Sequence, residues 1–131
     1  MITPAELGRL WFDEVWGKRR REAIRELSAP NAVGHMAFRD SQLSDIEGYH
    51  IAMLAACPDL KVEVEQVLAD GDQAAVRWRA SGTHQHDAFG IPAKGRSWVL
   101  PGVTWLTVRE GQIVEAWDCW DQTALLAKWA E

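Results

Sequence analysis

A change of hydrophobic period near Pro58 constrains this chain more than any other feature. Before Pro58, apolar residues recur at three- and four-residue intervals, as on the face of a helix. After it they alternate, and Gly-bearing turns interrupt the alternation. Helices first and strands after is the plan of an α+β domain, with helices laid on one face of a curved sheet.

Local signals place the elements. Thr3-Pro4-Ala5-Glu6 is a capping box with proline at the first helical position. Leu7, Leu10, Trp11, Val15 and Trp16 follow at helical spacing, so a helix is predicted over about 4–17, ended by Gly17. A shorter helix covers about 19–28, with Pro30 beyond it. Residues 32–36 read as a short extended segment. Ser44-Asp45-Ile46-Glu47 is a second capping box, opening a helix that carries Tyr49, His50 and Met53 and stops before Pro58. Strands follow at 60–69 and 73–84, joined at Asp70-Gly71. Residues 85–96 form a loop. A second hairpin runs over 98–108 and 112–119, turning at Glu110-Gly111. Asp121 caps a last helix, about 122–130.

In the last strand, Val114, Ala116, Asp118 and Trp120 share one parity, and Ile113, Glu115, Trp117 and Cys119 the other. Both are rich in apolar residues, so both faces are expected to be covered. One face would line the interior with the helices. The other suits a sheet-to-sheet homodimer contact.

The 131 residues carry a net charge of −5, which argues against a nucleic-acid binder. The basic run Lys18-Arg19-Arg20-Arg21 is followed by Glu22 and Glu26 and reads as a solvated helix start. No apolar run reaches the roughly 20 residues needed to cross a membrane, and the first residues lack a signal-peptide pattern. Cys57 and Cys119 have no metal-ligand or redox-motif spacing and read as reduced thiols of a cytoplasmic protein. With no linker or repeat, the whole of 1–131 reads as one domain. Eight Trp against three Phe and one Tyr is the unusual count. Trp78, Trp98, Trp105, Trp117 and Trp120 all fall on strands. They suit core packing, a dimer face, or a flat hydrophobic ligand.

Two stretches carry a resemblance. One runs from Arg77-Trp78-Arg79-Ala80-Ser81-Gly82-Thr83-His84 to Gly90-Ile91-Pro92-Ala93-Lys94-Gly95-Arg96. The other is Arg109-Glu110-Gly111-Gln112-Ile113-Val114-Glu115-Ala116-Trp117-Asp118. Together with Pro30-Asn31-Ala32-Val33-Gly34-His35 and the first helices, they make the chain resemble the SnoaL-like polyketide cyclases of the nuclear-transport-factor-2-like superfamily. The resemblance implies a cone of three N-terminal helices on a curved, mixed or antiparallel sheet around an apolar cavity. It also implies intramolecular aldol closure of a polyketide-like substrate, without metal or other cofactor. The family's aspartate general acid/base falls on Asp118. Its glutamine and histidine on the preceding strand fall on Gly102 and Thr104, and an asparagine falls on Gly34, beside His35.

The residue chemistry can be weighed beside that resemblance. A carboxylate flanked by Ala116 and Trp120 would be partly desolvated, which raises its pKa toward a range useful for proton transfer. Alternatively, Asp118 is an ordinary strand-end aspartate paired to Arg77 or Arg79. Asp121 is a helix cap that could also touch a ligand. His84 is a candidate for orienting a substrate carbonyl or pairing with Asp118, or a histidine bonded to backbone. His35 is a candidate second acid/base or a structural histidine. Tyr49, the single tyrosine, is the only available phenol donor to an oxyanion. Thr104, Trp98, Trp105, Trp117, Trp120 and Arg77 complete the expected substrate-binding set. His84, His86 and Asp87 resemble a metal motif but lack its further ligands, so no metal is expected. The competing functions are a non-catalytic small-molecule binding module and an epoxide hydrolase. The latter needs an Arg-x-Asp pair that Arg77-x-Arg79 and Arg79-x-Ser81 do not supply.

Overall fold

The fold was obtained as a computed structural model that describes residues 1–36 and 40–131. Its frame is a six-stranded sheet in the order β2-β1-β6-β5-β4-β3. The strands are β1 Ser28–His35, β2 Asp40–Ser41, β3 Lys61–Asp70, β4 Gln73–Thr83, β5 Ser97–Arg109 and β6 Gln112–Cys119. Neighbours are antiparallel except β1 and β6, which run parallel. The sheet is therefore mixed, curved and unclosed.

Both hairpins form where glycine permits a positive φ. Asp70 pairs with Gln73, so the turn residues are Gly71 (φ 60°) and Asp72, one position later than Asp70-Gly71 predicts. Arg109 pairs with Gln112, and Glu110 (φ 53°) and Gly111 (φ 75°) both adopt the left-handed region expected of a two-residue hairpin loop. Pro101 stands on β5 opposite Arg79, before the stretch that pairs with β6 begins at Val103. There it removes no ladder hydrogen bond on the β6 side.

The helices are α1 Pro4–Trp11, α2 Ala23–Glu26, α3 Leu43–Ala56 and α4 Gln122–Ala130. Thr3 caps α1 through the Glu6 N–H. The predicted helix 4–17 has the right extent but changes character: Phe12–Gly17 is π-helical. The wider turn leaves the Val15 carbonyl to the buried His50 ring, whose Nε2 lies 2.7 Å away. Nε2–H donates to that carbonyl, and burial pushes the His50 pKa down, which favours the neutral ring. The second helix is shorter than predicted, a single turn, because Arg19 takes a left-handed φ of 59°. The extended segment after it is longer, all of β1. The capping box of α3 joins Gln42 and Asp45 rather than Ser44 and Glu47, since the helix begins at Leu43. Gly8 brings α1 onto β4, where a Cβ would meet the Val76 side chain at 2.9 Å.

The main core lies between the helices and the concave face of the sheet. Phe12, Met53, Val76, Trp78, Trp98 and Trp129 are among its buried members. Trp129 of α4 is fully enclosed and packs edge-on against Trp98.

Candidate functional site

The concave and convex faces sort the candidate residues. Even-numbered positions of β5, from Trp98 to Leu106, point to the concave side, and Ala116 and Asp118 join them from β6. Between β5 and β6 strict alternation fails at one place. Thr107 pairs with Glu115 but Val108 pairs with Ile113, so Val114 is the extra residue of a bulge. Ile113 thereby moves to the concave side, against the parity read from sequence.

Between sheet and helices lies a cavity of about 110 Å³. Its lining is almost wholly apolar and includes Trp11, Trp16, Trp78, Trp98 and Trp120. The polar groups are few: Asp118, Thr104, Ser28 and the Tyr49 phenol. Asp118 and Thr104 stand opposite each other on β6 and β5. The Thr104 hydroxyl donates to Asp118 Oδ1 at 2.6 Å. Part of the Asp118 surface remains open, and the residue lines the cavity. Burial raises the Asp118 pKa, and the Thr104 hydrogen bond only partly opposes that rise. Among the described residues no cation pairs with it. Tyr49, on α3, lies 6.3 Å from Trp120 between ring centroids. Burial first, and the Asp118 charge second, raise its pKa, so the phenol keeps its proton. The site thus offers a carboxyl that can exchange a proton and a phenol that can donate a hydrogen bond, in largely apolar surroundings.

The other candidates lie elsewhere. Trp105 and Trp117 pair with each other across β5 and β6 on the convex face, away from the cavity. Arg77 is also on that face, 3.8 Å from Glu65, and it does not reach Asp118. The reading of Asp118 as an arginine-paired surface aspartate therefore fails: two faces of one sheet separate the partners. His35 pairs with Trp117 in register and stacks on it at 5.2 Å. Its Nδ1 meets Asp40 and its Nε2 meets Glu115, each at 2.7 Å. Those two hydrogen bonds raise its pKa. His84 is fully buried but stacks on Trp129 at 4.0 Å, outside the cavity lining. Asp121 accepts the Ala124 N–H at 2.9 Å as the cap of α4. Asp87 accepts the Ala93 N–H and braces its own loop. Among the described residues, no three His, Cys, Asp or Glu side chains converge as a metal site.

Sequence reasoning missed the part played by Trp78. Its indole N–H donates to Thr104 Oγ1 at 2.9 Å. A signal was present: Gly102 sits inside a strand pattern, which marks a close approach of backbone and side chain.

The sequence profile of the SnoaL-like polyketide cyclases matches residues 6–129, and the chain belongs to that family. The fold is accordingly of the nuclear-transport-factor-2-like kind. A candidate SnoaL-like polyketide cyclase from Jannaschia sp. CCS1 superposes with a TM-score of 0.86 at 24% identity, covering 99% of this chain and 96% of that one. That likeness is one of fold. IdmH, a candidate polyketide cyclase from Streptomyces antibioticus, has a TM-score of 0.83 at 28% identity, over 97% of this chain and 98% of its own. AclR, a candidate hydroxylase from Streptomyces galilaeus, has a TM-score of 0.83 at 26% identity, over 95% and 81%. The sequence matches no curated protein.

Proposed function

We propose that this protein is a cyclase or isomerase that moves protons on a hydrophobic, polyketide-like small molecule, with Asp118 as its general acid/base. The observation that carries this reading is a lone carboxyl in an apolar, Trp-lined cavity, its pKa raised by burial and without a cationic partner among the described residues. An aldol closure needs one proton taken from carbon and one delivered to the new alkoxide. A carboxyl with a raised pKa can do both in turn, and the balance calls for no redox cofactor. Tyr49 donates a hydrogen bond to the developing oxyanion. Trp98 and Trp120 hold the flat body of the substrate, and Thr104 holds Asp118.

The family membership supports the reaction class, and the similarity to both IdmH and AclR leaves the substrate open. The whole of 1–131 acts as one domain in this reading. The unpaired Cys57 and Cys119 suit the reducing cytoplasm. A homodimer through the convex face belongs to the same proposal. Val99 and Trp105 are 63% and 46% exposed there and would be covered by such a contact. Light scattering of Trp105→Asp beside wild type tests the dimer, and a wild-type monomer ends that part of the proposal.

The main test compares wild type with Asp118→Asn on polyketide-like substrates that can cyclise. Turnover by wild type and its loss in the variant support the reading. Tight ligand binding by both proteins, with no turnover by either, assigns the chain instead to the binding modules.

A further inference from the structure

At the two positions where relatives are expected to carry glutamine and histidine, this chain has Gly102 and Thr104. Both face the concave side of β5, next to Trp78 of β4. Trp78 pairs in register with Gly102, and a Cβ at that glycine would clash with the indole ring. The missing side chain is what lets the indole lie flat over β5 and reach Thr104.

The resulting hydrogen bonds have a fixed direction. An indole nitrogen only donates. Trp78 Nε1 therefore occupies one lone pair of Thr104 Oγ1, 2.9 Å away. Thr104 is itself buried. Its hydroxyl proton has one acceptor among the described residues, Asp118 Oδ1 at 2.6 Å. Reversing the chain would leave that O–H unpaired in an apolar site, which buried donors avoid.

We propose that Trp78 and Thr104 are positioning residues, a one-way relay that holds Asp118 Oδ1 as an acceptor and places the exchangeable proton on Oδ2, on the cavity side. This inference rests on the acid/base role assigned to Asp118 above. One oxygen is thereby dedicated to structure and the other to chemistry. Gly102, Trp78 and Thr104 then act together in this chain: the glycine admits the indole, the indole orients the hydroxyl, and the hydroxyl holds the carboxyl.

The test follows the carboxyl itself. The ¹³C signal of Asp118 is titrated in the full chain, and the ¹⁵N–¹H signal of the Trp78 indole is recorded beside it. Tyr49, the titratable neighbour on α3, keeps its proton across the range, so the carboxyl signal reports Asp118. Thr104→Val removes the donor to the charged form and is expected to move the midpoint upward by about one pH unit. It also shifts the Trp78 indole signal as that N–H loses its acceptor. Thr104→Ser restores both. Trp78→Phe leaves the hydroxyl without its polarising partner and moves the midpoint in the same direction, by a few tenths of a unit. An unmoved midpoint in folded Thr104→Val overturns the relay. Should that variant fail to fold, an unmoved midpoint in Trp78→Phe overturns it. None of these readouts needs turnover. The acid/base role fails separately, if Asp118→Asn retains full activity while the relay titrates as described.

Discussion

Two titrating centres face opposite sides of the sheet, and they reach a raised pKa by opposite means. Asp118 lies in the concave cavity with one hydrogen bond from Thr104, which lowers its pKa while burial raises it more. His35 sits at the end of β1 between two carboxylates, Asp40 and Glu115, whose hydrogen bonds raise it while burial works against them. One group is perturbed because it lacks partners, the other because it is saturated with them. Only the first remains available to a substrate. A shift caused by desolvation beside a cavity leaves the group open to a ligand, whereas one caused by ion pairing marks a clasp.

The largest expected effect would break or establish that contrast. Asp118→Asn lowers kcat/KM by about 10²-fold or more, the range for loss of a general acid/base. His35→Asn leaves the rate within a few-fold. Steady-state kinetics on one cyclisable substrate decide it, and a large loss from His35→Asn would mean that the outer centre takes part in the chemistry.

A second prediction concerns what supports the concave centre. Gly102→Ala drives a methyl group into the Trp78 ring and is expected to cost about 1–3 kcal/mol, as overpacking does. Gly48→Ala is its control. Nothing lies within 4 Å of a Cβ on that α3 glycine, and alanine there gains up to about 1 kcal/mol. Urea denaturation of both variants measures the difference.

The smallest effects separate the two centres by pH. A group with a raised folded pKa holds its proton more tightly when folded, so its stabilising contribution is full below the unfolded pKa and fades as pH rises through the folded one. For Asp118 the decline starts near pH 4, about the unperturbed carboxyl value. For His35 it starts near pH 6.5. Asp40 and Glu115 are both open to solvent, so the His35 contribution stays under about 1 kcal/mol. Denaturation curves across pH 3–9 check this: Asp118→Asn should flatten the acid limb, and His35→Asn the neutral one. The opposite assignment of limbs would undo the comparison.

What was legible in the sequence was local. Glycines with positive φ announced both hairpins, although the first turn sits one residue further along. Asp121 was readable as a cap because a cap needs only its own next three residues. The Trp-rich strands were readable as strands, but not which face their indoles take. Trp105 and Trp117 share the parity of apolar residues on both sides of the sheet, and only the side chosen by the helices separates them from Trp98. The same holds for His35 and Arg77, which the packing of α1 and α3 leaves outside. The Trp78–Thr104–Asp118 chain joins three strands through residues 26 and 14 positions apart, and no short-range pattern encodes it.

The cavity has two walls, and each departs from regular geometry by an extra residue in at least one place. The helical wall takes up its surplus in the π-helical turn Phe12–Gly17, and the sheet wall in the bulge at Val114. In evolutionary terms these are the places where an insertion or deletion is absorbed on the spot. Losing one residue from the π-helical turn would restore ordinary α-helical bonding there, with Trp11 and Trp16 still about one turn apart, and leave the strand ladder untouched. The walls of such a molecule can gain or lose single residues at these two places while the rest of its scaffold stays fixed.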